Sequence, residues 1–207
     1  MLHSKRWLYF NLCLLVSIFL FSLPIYAGTL RGKISATGIR KPENIVVYLK
    51  GVQGNFPPPA KPLILDQKDF VFIPHILPLV RGTTVTFSNH EEKIQHNIFS
   101  PDSVADHMNL GTYPPGQSQN HKFDKGCEGD QTCVAVILCN VHAEMSAYVV
   151  ILDNPYFSVT NNKGEYEIPN TPEGSFTLVA WHEKLKETQQ PVTLSSGVTE
   201  VNLSLKK

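Results

Sequence analysis

A thiol, an imidazole and a thioether fall within seven positions in CNVHAEM, residues 139–145: Cys139, His142 and Met145 at C-x2-H-x2-M spacing. The segment TCVAVILCN before it is β-branched and apolar, and it reads as a central strand. A chain leaving such a strand must turn, and a short loop can wrap three soft or borderline donors around one metal ion. Alone, Cys139 would read as a small buried hydrophobe; its neighbours reverse that reading. Three donors are one short of a closed set, so a fourth is expected from elsewhere. His96 is the best placed. It follows GTTVTFSN, in which Val85 and Phe87 alternate with Thr84, Thr86 and Ser88 as in a strand with one buried face, and it opens a second apolar stretch, HNIFS. His90 is a weaker candidate, because NHEEK reads as a solvated turn. His75, His107 and His121 read as surface or turn residues; a peripheral metal contact through His107 or Met108 is the other reading of DHMN.

The cysteines point to a compartment. The chain opens with a short basic segment, then LYFNLCLLVSIFLFSL and the small-residue exit PIYAG, the three regions of a secretory signal with cleavage expected after Ala27. Nothing later is long and apolar enough to cross a bilayer, so the mature protein is expected to be soluble, exported and periplasmic. Cys127, Cys133 and Cys139 remain, and an odd number in an oxidising compartment leaves one over. Six residues of extended chain hold Cys133 and Cys139 roughly 20 Å apart, which forbids a bond between them. CEGDQTC is polar and contains Gly129 and Asp130, so it can fold back and join Cys127 to Cys133. Cys139 is then the spare thiol.

Composition bounds the rest. Of 207 residues, 18 are basic and 18 acidic, and loss of Lys5 and Arg6 leaves 16 against 18. That balance gives no electrostatic reason to expect nucleic acid or an anionic membrane as partner. The 15 prolines, the many Val, Ile, Thr and Phe residues and the scarcity of helical periodicity predict an all-β chain of short strands.

Two imidazoles, a thiolate and a weak thioether are the donors of a mononuclear blue-copper site. Here the chain resembles the cupredoxins, amicyanin-like proteins above all in the short ligand loop. The resemblance covers about residues 59–153: an F-x-P strand at Phe72 to Pro74, G-x-x-V-x-F-x-N from Gly82 to Asn89, His96-Asn97, the Gly/Pro turn LGTYPPGQS, and CNVHAEM. It implies a Greek-key β-sandwich, one type 1 copper ion on His96, Cys139, His142 and Met145, and Asn97 tying the two ligand-bearing segments together. It also implies an apolar patch beside His142, through which redox proteins donate and accept one electron. A dinuclear centre would need a second cysteine in the loop, a multicopper enzyme further histidines commonly in H-x-H pairs, and zinc a better fourth ligand than methionine. The expected role is a carrier, not an enzyme; a copper-binding, buffering or delivery protein would keep the same ligands.

The flanks read differently. VTNNKGEYEIPNTPEGSFTLVAWHEKL contains a hairpin turn at 162–164, alternating Tyr166 and Ile168, and a second turn at 172–174. It looks like half of a carboxypeptidase regulatory-like, transthyretin-like sandwich, and GTLRGKISATGIRKPENIVVYLKGV looks like the other half. Residues 28–58 and 154–207 are each too short to bury a core alone. They are therefore expected to form one discontinuous sandwich around an inserted cupredoxin domain at 59–153. The rival arrangement has the N-terminal strands extending the cupredoxin sheet. Trp181 and His182 read as a strand-end aromatic with a solvated neighbour, less readily as a docking face. A monomer is expected.

Overall fold

The computed structural model describes residues 28–127, 129 and 131–207. The expected export signal, 1–27, lies outside the described residues. The described chain is all-β: seventeen strands and one 3-10 turn, Ser103–Ala105, with no α-helix among the described residues. None of them forms a helix long and apolar enough to cross a membrane.

The strands form four sheets. In the first, β1 (Gly28–Thr37) runs antiparallel to β13 (Glu165–Thr171) and parallel to β16 (Val198–Glu200) and β17 (Leu203–Lys206). In the second, β2 (Val46–Lys50) lies between β12 (Phe157–Val159) and β14 (Gly174–His182), and β14 pairs onward with β15 (Leu185–Leu194). The first 23 described residues thus pair with strands more than a hundred positions away. The third sheet runs β5 (Ile76–Val80), β11 (Ser146–Leu152), β10 (Cys133–Leu138), β7 (His96–Phe99) and β8 (Asn109–Tyr113). The fourth runs β4 (Val71–Ile73), β3 (Leu63–Lys68), β6 (Thr84–Asn89) and β9 (Ser118–Lys122).

Side-chain alternation decides how the sheets stack. Val85 and Phe87 of β6 meet Ala135 and Ile137 of β10 in one core between the third and fourth sheets. Leu30 and Ile34 of β1 meet Val47 and Leu49 of β2 in a second core between the first and second sheets. The second and third sheets then face each other through Val46, Tyr48 and Val179 on one side and Ile76, Val150 and Leu152 on the other. β2 and β11 are consequently buried on both faces, which explains their near-continuous apolar sequences VVYLK and SAYVVIL. Each fully buried Val or Leu side chain there contributes about 1.5–3 kcal/mol of transfer free energy. At Gly32 of β1 a Cβ would sit 1.7 Å from the Val201 carbonyl oxygen, so glycine is what lets the C-terminal segment close over that strand.

Candidate metal centre

The phase of β10 aims the thiol. Cys133, Ala135 and Ile137 all face the core between the third and fourth sheets, and two positions further the same face carries Cys139, 3% exposed. The chain then turns tightly, with the Met145 N–H donating to the His142 carbonyl at 3.0 Å. Met145 is 1% exposed and lies in the same core cluster as Cys139, whereas His142 is half-buried. His96, the first residue of β7, is fully buried.

These elements bring His96, Cys139 and His142 together. One ligand atom from each lies within 4.8 Å of the others. His96 Nδ1 stands 3.8 Å from Cys139 Sγ and 3.1 Å from His142 Nδ1. An ion bound at about 2.0–2.1 Å from nitrogen and 2.3 Å from sulfur spreads such atoms about 3.1–3.9 Å apart. Both His96 separations match that spread, and thiolate and imidazole are the donor types copper takes. Asn97 donates through Nδ2 to Asn109 Oδ1 at 2.9 Å and accepts the Asn140 N–H at 3.4 Å, so it links β7 to the loop that carries His142.

One functional side chain was invisible in the sequence. Glu91 sits in NHEEK, expected to be a solvated turn, yet its side chain is only 8% exposed and its Oε1 lies 3.1 Å from His96 Nε2. The reason is Asn89. Its amide donates to the carbonyls of Ile94 and Tyr113, and its oxygen accepts the Glu91 N–H, which folds the turn back onto the sandwich end. Burial opposes the Glu91 charge, but the Phe70 N–H and the His96 ring outweigh it and hold the carboxyl below its ordinary range. A carboxylate only accepts, so this contact calls for a hydrogen on His96 Nε2, and Nδ1 is the ring nitrogen turned toward Cys139 and His142.

Phe70 completes the wall. Its ring meets His142 edge-on at 5.0 Å and His96 at 6.1 Å, and it remains 42% exposed, as Val141 does at 50%. The other histidines go elsewhere. His90 pairs with Asp66 at 2.7 Å, and His107 is exposed with its ring on the Pro101 carbonyl. His75 is half-buried against Glu183. His182, read as solvated, is 6% exposed instead, because a register shift between Ala180 and His182 turns it against Glu183 beside the seam. A disulfide joins Cys127 to Cys133, and Cys139 is free.

No family model matches the chain, and no curated protein matches it. Among solved structures it is similar to an oxidised mutant of amicyanin, at 20% identity over 45% of this chain and 84% of that one, with a TM-score of 0.37. A purple cupredoxin from Nitrosopumilus maritimus matches at 21% identity over 44% of this chain and 99% of that one, with a TM-score of 0.36. A copper-containing nitrite reductase from Thermus scotoductus matches at 15% identity over 57% of this chain and 28% of that one, with a TM-score of 0.39.

Proposed function

We propose that residues 59–153 form a cupredoxin that holds one type 1 copper ion, and that the protein is an exported, periplasmic one-electron carrier. The observation that supports this most is the convergence of His96 Nδ1, Cys139 Sγ and His142 Nδ1 on one point at the end of a packed sandwich. Copper held there would supply one-electron exchange between Cu(II) and Cu(I). His96 anchors the ion from the core side, Cys139 gives the thiolate, and Met145 offers a weak thioether from within the same cluster. Burial of His96, Cys139 and Met145 and the hydrogen bonds of Asn97 fix the donors, so little moves when the charge of the site changes. With copper bound, an electron from a reduced protein donor would reach it, and leave to an oxidised protein acceptor, over the half-buried ring of His142, with Phe70 and Val141 as apolar ground beside it.

The same reading divides the chain. Residues 28–58 and 154–207 form a discontinuous, transthyretin-like companion sandwich around the inserted copper domain, a division supported by the pairing of β1 and β2 with the C-terminal strands. Its role is structural or in partner recognition. The chain is a carrier and not a catalyst, since four donors from one end of one sandwich complete the site.

The test uses residues 28–207 loaded with Cu(II), with Cys139→Ser as control. An intense blue thiolate-to-copper band and a narrow hyperfine splitting in electron paramagnetic resonance, both lost in the variant, are expected. Weak, colourless binding that ignores the variant would sink the carrier reading.

A further inference from the structure

The structure assigns Glu91 a role nothing in the sequence announces: we propose that it is a positioning residue that fixes the tautomer of His96 and lowers the reduction potential of the ion the site holds. The second half of this inference rests on the copper reading above; the first does not.

The geometry starts with how Glu91 is held. Asn89 clamps the turn from both sides, so Glu91 is presented inward, with a side chain only 8% exposed. A carboxylate taken out of water is destabilised unless hydrogen bonds replace the lost hydration. Here Oε1 accepts from two sources, the Phe70 N–H at 2.8 Å and His96 Nε2 at 3.1 Å. Both partners are parts of the candidate centre: one is a buried donor, the other carries the ring that covers it.

The Phe70 contact has its own peculiarity. Asp69 and Phe70 have φ of +53° and +59°, the left-handed region, which is uncommon for an aromatic residue and costs conformational energy. The Glu91 carboxylate caps the N–H of this unfavourable turn, and the turn delivers the ring onto His142 and His96. One side chain thus orients a donor from behind and holds the cover in front. Its charge also has a direct electrostatic consequence. A negative charge separated from the ion by a single imidazole favours the more positive oxidation state and makes His96 the more basic donor. The reduced form gains less from it, so the potential falls.

The measurements are made on metal-free and copper-loaded protein, wild type beside Glu91→Gln and Glu91→Asp. In metal-free wild type, nitrogen-15 NMR of the His96 ring is expected to report the Nε2–H tautomer. Glu91→Gln, which keeps the shape but can turn an amide NH2 toward the ring, is expected to weaken that preference. Removing a carboxylate behind a ligand histidine typically costs 10- to 100-fold in metal affinity. A tenfold loss confined to Cu(II) raises the midpoint by about 59 mV for one electron. Glu91→Gln is therefore expected to raise the potential by about that much or more, and Glu91→Asp, which keeps the charge, by less. A wild-type tautomer and an unchanged potential in Glu91→Gln would overturn the proposal. If wild type itself never shows a blue band abolished by Cys139→Ser, the copper reading and the potential go together. The tautomer in metal-free protein then still decides the positioning role.

Discussion

Two glutamates each meet buried imidazole in this molecule, and they do opposite things. At the end of the sandwich that carries the candidate metal centre, Glu91 touches one edge of His96, and the other ring nitrogen points at a thiol and a second imidazole. At the seam between the second and third sheets, Glu183 has one oxygen 3.4 Å from His75 Nε2 and the other 3.2 Å from His182 Nε2. There the remaining ring nitrogens face backbone: His75 Nδ1 the Ser146 carbonyl, His182 Nδ1 the Lys184 N–H. Even the aromatic neighbours correspond, Phe70 on His142 and Tyr148 on His75 at 5.5 Å. Residue types are nearly the same in both places. What separates a ligand set from a structural clasp is where the second nitrogen points.

The hydrogen bonds at the seam also bias where its protons sit. A carbonyl and a carboxylate only accept, so both ring contacts of His75 favour its protonated form, and the Glu183 hydrogen bond raises its pKa. His182 accepts from an N–H at Nδ1, so it is neutral with its proton on Nε2. Neither imidazole is left with a bare lone pair for an ion.

The largest contrast expected follows from this. Cys139→Ser abolishes the thiolate-to-copper band entirely, whereas Glu183→Gln leaves its position and intensity unchanged; absorption spectra of the two loaded variants decide. A Glu183→Gln protein that loses the band would mean that the seam reaches the site. Stability should order the two the other way. Glu183 has a side chain only 6% exposed, hydrogen-bonds His75 and stands 3.2 Å from His182 Nε2, so Glu183→Gln is expected to lower the unfolding free energy by about 1–3 kcal/mol. Urea titration at pH 6 measures it, and an unchanged midpoint would remove Glu183 from the seam's support.

Acidity gives a finer cut. The hydrogen bond from Glu183 raises the His75 pKa above 6.5, against burial. Its contribution is then complete below pH 6.5 and is lost as pH rises through the higher folded value. His182 runs the other way: burial lowers its pKa, with Glu183 opposing and Lys184 and His75 assisting. Its contribution is present above pH 6.5 and fades as pH falls through the folded value. Glu183 itself is held below 4.5 by His75 and His182 despite burial, so its share is lost only in stronger acid. Stability of wild type minus that of His75→Gln should therefore decline from pH 6.5 upward. A flat difference between pH 5.5 and 8.5 would break the charge assignment.

The parts of the site differed in how far the sequence exposed them. Cys139, His142 and Met145 share one short window beyond an obvious strand, and the phase of β10 aims Cys139 at the core. His96 was legible from alternation that stops at Asn89 and an apolar run that resumes after it. All-β character followed from composition and alternation. Glu91 was hidden because its burial depends on Asn89 reaching Ile94 and Tyr113, contacts that no local pattern encodes. His182 was misread because what covers it, Glu183 clasped by His75 from 108 positions away, is equally non-local. Nor does Asp69-Phe70 carry the Asn-Gly or Asp-Gly signature of a left-handed turn.

That last turn carries the smallest expected effect. Phe70 gives up backbone comfort to place its ring, while Tyr148 sits in the regular strand β11. Phe70→Asn puts a residue tolerant of the left-handed region at the same φ, so the backbone gain offsets part of the lost ring contact. Stability should change by no more than about 1 kcal/mol in either direction. The exposure of His142 should change more: a small copper chelator is expected to strip loaded Phe70→Asn faster than wild type, followed as loss of the blue band. Tyr148→Phe keeps the ring against His75 and loses only a hydroxyl, so it should strip at the wild-type rate. Equal rates in Phe70→Asn and wild type would mean that the ring covers nothing the site needs covered, and the turn would be left with no account of its strain.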